Sequence, residues 1–126
     1  MNMIIGGSFQ GKLRYAQEST GITAWVDGEH CTLEQMRSAE GIFHFERFIY
    51  KELREGRSIQ NLAEELITHN PDVVIVSTEV GSGIVPMDAL DREWREQTGR
   101  VCTRLAAFSS QVTRIICGIP MVIKHD

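Results

Sequence analysis

An α/β fold with a mainly parallel sheet is what the sequence predicts, from three observations. Strand-like and helix-like patterns alternate along the 126 residues, which favours crossover helices between strands over an all-helical or all-β arrangement. Val73-Val74-Ile75-Val76 is a near-continuous β-branched run, of the kind that sits inside a parallel sheet with both faces covered. A glycine-rich stretch, Gly6 to Gly11, follows a short apolar strand at Met3 to Ile5 and leads into a helical pattern.

The elements follow in order. After the glycine loop a short helix is predicted from about Lys12 to Glu18, and the turn at Ser19 to Gly21 delivers the chain to the apolar run Ile22 to Val26. Asp27 then stands at a strand end. Leu33, Met36, Ala39, Ile42, Phe43, Phe45, Ile49 and Leu53 recur at three- and four-residue intervals and predict one long amphipathic helix from Thr32 to Leu53, closed by Gly56. Ser58 is the expected cap of the next helix, whose Ile59, Leu62, Ala63, Leu66 and Ile67 form one face before Asn70-Pro71 stops it. Val73 to Val76 forms the central strand. Leu90, Trp94, Val101, Leu105 and Phe108 outline a further helix with Asp88 and Asp91 near its positive end. Gly99 inside that pattern predicts a bend or a close neighbour. Val112 to Cys117 and Met121 to Ile123 read as an edge hairpin around Gly118-Ile119-Pro120.

Composition narrows the class. With 42% hydrophobic residues the chain can core a single domain, residues 1–126, and is too short for two. Thirteen basic against seventeen acidic residues give a net charge of -4 without a dense Lys/Arg cluster, so nucleic acid is not an expected partner. No leader pattern and no apolar stretch of membrane-spanning length is visible, and a cytoplasmic location is expected. Cys31, Cys102 and Cys117 are widely spaced and odd in number, which reads as buried thiols rather than a disulfide framework or zinc site. The same holds for metal ligation by His30, Cys31 and His44, whose spacing supplies no compact set.

The chemistry-bearing stretch is Gly6-Gly7-Ser8-Phe9-Gln10-Gly11-Lys12-Leu13, which nearly spells GxxxxGK[ST]. That spacing suits backbone N–H groups wrapping a phosphate while Lys12 neutralises its outer oxygens. All eight residues are candidate nucleotide contacts. Leu13 takes the place of the hydroxyl that holds Mg²⁺, so weak magnesium dependence and slow phosphoryl transfer are expected. A purely structural glycine turn with Leu13 as a core residue is the plain alternative. A second loop, Ser77 to Pro86, carries Gly81 and Gly83 at the carboxyl end of the central strand, where open α/β sheets place ligands.

Glu79-Val80-Gly81-Ser82-Gly83-Ile84-Val85-Pro86, then Gly99-Arg100-Val101 and Arg104-Leu105-Ala106, resemble the C-terminal signature of the adenosylcobinamide kinase/adenosylcobinamide-phosphate guanylyltransferase family, with unbroken spacing from about Val73 to Lys124. The N-terminal Gly-Gly and Gly-Lys agree with that family's opening loop. The resemblance implies a P-loop NTPase-like three-layer sandwich, a trimeric assembly, and a place late in cobalamin synthesis. It also implies GTP or ATP as the purine nucleotide, adenosylcobinamide as phosphoryl acceptor, and GMP attachment through a guanylylated histidine. The family's extra strand and histidine-bearing helix have no room between Ser19 and Thr23, so no histidine carries over. Asp27, more than Glu29, corresponds to the family's acidic strand end. The implied catalytic set is Lys12, Asp27 and Glu79, with Glu79, Val80, Gly81, Gly83 and Arg100 around the substrate loop.

Three functions stay open: a shortened kinase/guanylyltransferase relative, a catalytically silent nucleotide-binding paralogue, and a non-enzymatic oligomeric or regulatory module. Phe43, Phe45 and Phe48, with Trp25 and Trp94, read as core or subunit-contact residues. Apolar groups on two faces of a helix spanning Phe43 and Phe45 would need a second chain to cover one face, which motivates a homo-oligomer.

Overall fold

The computed structural model describes residues 1–8, 11–80 and 88–126. Its elements run β1 (Asn2–Gly6), α1 (Lys12–Thr20), β2 (Trp25–Asp27), α2 (Leu33–Arg37), β3 (Gly41–Phe43), α3 (Phe45–Arg54), α4 (Leu62–His69), β4 (Val74–Thr78), α5 (Ala89–Phe108), β5 (Gln111–Ile116) and β6 (Ile119–His125). The strands form one sheet in the order β2-β3-β4-β1-β5-β6, parallel except for β6, which runs antiparallel to β5. This is the expected α/β class with a P-loop NTPase-like arrangement and a C-terminal edge hairpin.

Because strand side chains alternate between faces, the sheet has two cores. Met3, Ile42, Ile75 and Val112 pack against Met36, Phe45, Phe48, Ile49, Leu66, Val101 and Leu105, so α2 to α5 all cover one face. Ile4, Val74, Val76 and Ile115 pack against Tyr15 and Ala16 of α1 on the other. Central β4 is buried along its apolar length, as its β-branched run requires. Gly6 is in register with Thr78, and Asp27 with Phe43. The loops after β1, β2, β3 and β4 therefore leave the sheet on one edge, the carboxyl edge where such sheets bind ligands.

The predicted helix from Thr32 to Leu53 is corrected: it is α2, then β3, then α3. A three-residue strand is too short to disturb a three- and four-residue apolar spacing, and β3 exists because β2 and β4 hydrogen-bond to it on both sides. Phe43 packs on the α1 side of the sheet and Phe45 in the core under α3. The two-faced helix that asked for a second chain is thus absent. The cap is also displaced: Asn61 precedes α4, while the Ser58 hydroxyl accepts the Gln60 N–H at 3.3 Å. Helix α5 runs unbroken through Gly99, with no described group beyond the helix's own adjoining backbone within 4 Å of where a Cβ would lie. The hairpin turns at Cys117-Gly118, with φ of 51° and 74°, the two-residue turn whose twist matches its strands, so β6 begins at Ile119.

Candidate functional site

Gly11 caps α1 from the left-handed region at φ 74°, which only glycine occupies without strain, and so aims the first helical residue back at the loop. That residue is Lys12. It is 9% exposed, and its ammonium donates to the Gly7 carbonyl at 2.7 Å. Burial lowers its pKa from the usual lysine value, and the charges of Glu46 and then Glu79 pull it back up. Ser8, Gly11, Lys12 and Leu13 line a cavity of about 300 Å³ whose other wall includes Phe43, His44, Glu46, Arg47 and Thr78. Gly6 and Gly7 lead into it from β1, and Phe9 and Gln10 lie outside the described residues. Leu13 brings carbon to this wall. Oxygen is supplied by the Ser8 and Thr78 hydroxyls, donors of the hard kind that Mg²⁺ takes, while the Glu46 carboxylate accepts the Thr78 N–H.

Glu46 and His44 were missed as site residues, because reading one helix over residues 32–53 hides the strand-to-helix junction that carries them. The polar positions His44 and Glu46 flanking Phe45, just after Gly41-Ile42-Phe43, were the signal available. Glu46 is 3% exposed. Its Oε1 accepts the Thr78 N–H at 2.9 Å, and its carbonyl accepts the Trp94 indole N–H at 2.7 Å, which fixes it between the tip of β4 and α5. His44 caps α3 at φ 54°, and its Nδ1 lies 3.0 Å from Asp27 Oδ1. His44 is thereby tied to the end of β2 across 17 residues of sequence. Asp27 Oδ1 also accepts the Glu29 N–H at 2.9 Å, and Glu29 pairs with Arg47 at 2.9 Å. Donor atoms of Asp27, Glu29 and His44 all fall within 4.8 Å of one another. Asp27 itself stands behind the cavity wall and meets it through His44.

Glu79 faces elsewhere. Its N–H donates to the Gly6 carbonyl at 2.8 Å, but its carboxylate pairs with Arg114 at 3.1 Å. With Val80, Thr98, Gly99 and Cys102 it borders a second cavity, of about 430 Å³, on the α5 side of the sheet. Gly81 and Gly83 lie outside the described residues. Arg100 pairs with Glu96 and lines a third cavity beside Gly56 to Gln60, so it joins neither Lys12 nor Glu79. Arg104 is bound to Glu64 of α4 at 2.7 Å, a structural ion pair. Of the thiols, Cys31 is buried, Cys102 half-buried, and Cys117 exposed, contrary to the expectation of three buried ones. Burial pushes the Cys102 thiol up to about 11, so it stays protonated near neutral pH.

Among the described residues no helix is long and apolar enough to cross a membrane. A family model described as cobinamide kinase / cobinamide phosphate guanyltransferase matches residues 21–123, a span that begins after α1. The bifunctional adenosylcobalamin biosynthesis protein CobU of Salmonella typhimurium is 48% identical over 52 residues, 41% of this chain and 29% of that protein. The CobU protein of Escherichia coli is 46% identical over 52 residues, with the same coverages of 41% and 29%. The corresponding CobP protein of Pseudomonas aeruginosa is 32% identical over 54 residues, 43% of this chain and 31% of that protein. The matched segments thus span under a third of the length of these relatives. On the family match, which covers most of the chain from the end of α1 to β6, the protein belongs to the cobinamide kinase / cobinamide phosphate guanyltransferase family.

Proposed function

We propose that the protein binds GTP or ATP in the Lys12 cavity and transfers the terminal phosphoryl group to adenosylcobinamide. The observation that carries this reading is a buried lysine, 9% exposed, at the foot of a glycine loop that opens on a cavity lined by His44, Glu46 and Thr78. Lysine in that position balances negative charge developing on the transferred group, and main-chain N–H groups at the start of α1 would add to it. One N–H of the Lys12 ammonium donates to the loop's own Gly7 carbonyl at 2.7 Å, an acceptor whose place a phosphate oxygen would take. The Ser8 and Thr78 hydroxyls on the cavity wall are the oxygens that would hold Mg²⁺ in place of the absent P-loop hydroxyl. When bound, that ion would neutralise phosphate charge. Guanylyl transfer lies outside this proposal, since no histidine of the family's motif carries over.

Calorimetric titration of GTP, ATP and GDP, with and without Mg²⁺, tests the reading, with Lys12→Ala as control. Binding that weakens at least about tenfold in the variant is expected, because a charge-assisted contact is lost. Addition of adenosylcobinamide with γ-labelled nucleotide should then yield labelled product. The absence of binding would overturn the proposal in favour of a non-enzymatic module. Leu13 supports a second reading, a silent nucleotide binder: binding without turnover, with Mg²⁺ dependence partly restored by Leu13→Ser, would establish it.

A further inference from the structure

We propose that Asp27 and His44 form an acid–base dyad, in which His44 Nε2 takes the proton of the acceptor hydroxyl and Asp27 is the positioning residue behind it. This rests on the phosphoryl-transfer reading above. His44 lines the same cavity as Lys12, Glu46 and Thr78, so a group seated there meets lysine and imidazole together. Its Nδ1 lies 3.0 Å from Asp27 Oδ1. An ionised carboxylate only accepts, so the neutral ring carries its proton on Nδ1 and keeps the lone pair on Nε2. Asp27 thereby selects the tautomer and balances the imidazolium that forms, as the carboxylate of a catalytic triad does.

The backbone spends conformational energy to hold this ring. His44 sits at φ 54°, a region that residues with side chains avoid, and strain of this kind gathers at functional sites. Its carbonyl accepts the Arg47 and Phe48 N–H groups at 3.0 and 3.3 Å, and its ring leans on Phe43 with centroids 4.7 Å apart. The other carboxylates are committed: Glu46 to the Thr78 N–H, Glu79 to Arg114, and Glu29 to Arg47. That last ion pair also argues against a metal held by Asp27, Glu29 and His44, because a guanidinium 2.9 Å from Glu29 would have to yield to the cation.

In the reaction the acceptor O–H gives its proton to Nε2, and the freed oxygen pair forms the bond to the γ-phosphorus. The bond from that phosphorus to the bridging oxygen breaks, and its electron pair leaves with the nucleoside diphosphate. The imidazolium then returns its proton to solvent.

His44→Gly is the decisive variant, because glycine accepts φ 54° and leaves an imidazole-sized hole. Nucleotide affinity should stay within about threefold of wild type. The kcat for phosphoryl transfer should fall by roughly 10²- to 10⁴-fold and recover in part with added imidazole. Asp27→Ala should lower kcat while leaving KM for nucleotide unchanged. ¹⁵N spectra of wild type should show the Nδ1–H tautomer of His44, and that bias should vanish in Asp27→Ala. Wild-type turnover in His44→Gly, loss of nucleotide binding along with kcat, absence of imidazole rescue, or a requirement for added Zn²⁺ would overturn the dyad. So would an α-labelled nucleotide that becomes covalently attached to His44, which would make the ring a nucleophile. If wild type binds nucleotide but transfers nothing, the phosphoryl-transfer reading fails by itself. The dyad is then judged by the spectra, and an Nε2–H tautomer in wild type overturns it.

Discussion

At the residue scale the site depends on places where there is no room for a side chain. Gly28 follows β2, its N–H donates to the Phe43 carbonyl at 2.7 Å, and a Cβ there would sit 2.4 Å from the His44 carbonyl oxygen. The obstruction is main chain, which cannot swing aside. Gly28→Ala should therefore cost about 1–3 kcal/mol, as overpacking does, read as a lower urea midpoint at unchanged slope. It should also depress turnover more than nucleotide affinity, because the displaced atom belongs to His44 and not to the Lys12 loop. Lys12 shows the opposite compromise. Its burial disfavours the charge that binding an anion requires, and Glu46 is the larger of the two compensating charges, ahead of Glu79.

At the element scale, short pieces are held by polar ties more than by their own length. Helix α2 spans only Leu33–Arg37, and a capping box between Thr32 and Gln35 starts it. The Asn70 amide then donates to the Met36 and Ala39 carbonyls, each at 2.8 Å, joining the end of α4 to the end of α2 and the approach to β3. Asn70→Ala removes both bonds, although the Met36 carbonyl keeps the Ala39 N–H at 3.5 Å, and should cost about 1–3 kcal/mol in urea unfolding. His44 follows β3 directly, so its NMR resonances should shift in the same variant; unchanged His44 signals would show that β3 is held by the sheet alone. Helix α5 is tied at both ends, by the Asp88 carboxylate accepting the Asp91 N–H at 2.8 Å and by Lys124 donating to the Ala106 and Ala107 carbonyls at 3.0 and 2.8 Å.

At the scale of the whole molecule, one edge of the sheet is left apolar. Ile119, Val122 and Ile123 of β6 are 64%, 55% and 55% exposed, and among the described residues β6 pairs only with β5. An apolar strand with a free edge favours pairing with another chain. Light scattering at micromolar concentration should accordingly give a mass above the 14.2 kDa of one chain. Val122→Lys with Ile123→Lys should return it to the single-chain value. A single-chain mass for wild type would remove self-association, including the trimer that the family resemblance implies.

Local signals account for what could be read without coordinates. The glycine loop, the β-branched run of β4, the amphipathic pattern of α5 and the glycine turn before β6 are each written within one continuous stretch of chain, and the family motif lies in the continuous second half. Strand β3 is different. Its three residues become a strand only because β2 and β4 flank it, and that lateral pairing has no imprint on linear spacing. The placing of His44 and Glu46 opposite Lys12, of Glu79 against Arg114, and of Arg100 away from both follows from how strand ends line up across the sheet. Contacts between residues 15 or more apart in sequence are made by packing, so the chain spelled out its glycine loop while the folded sheet chose which carboxylate and which histidine share a cavity with it.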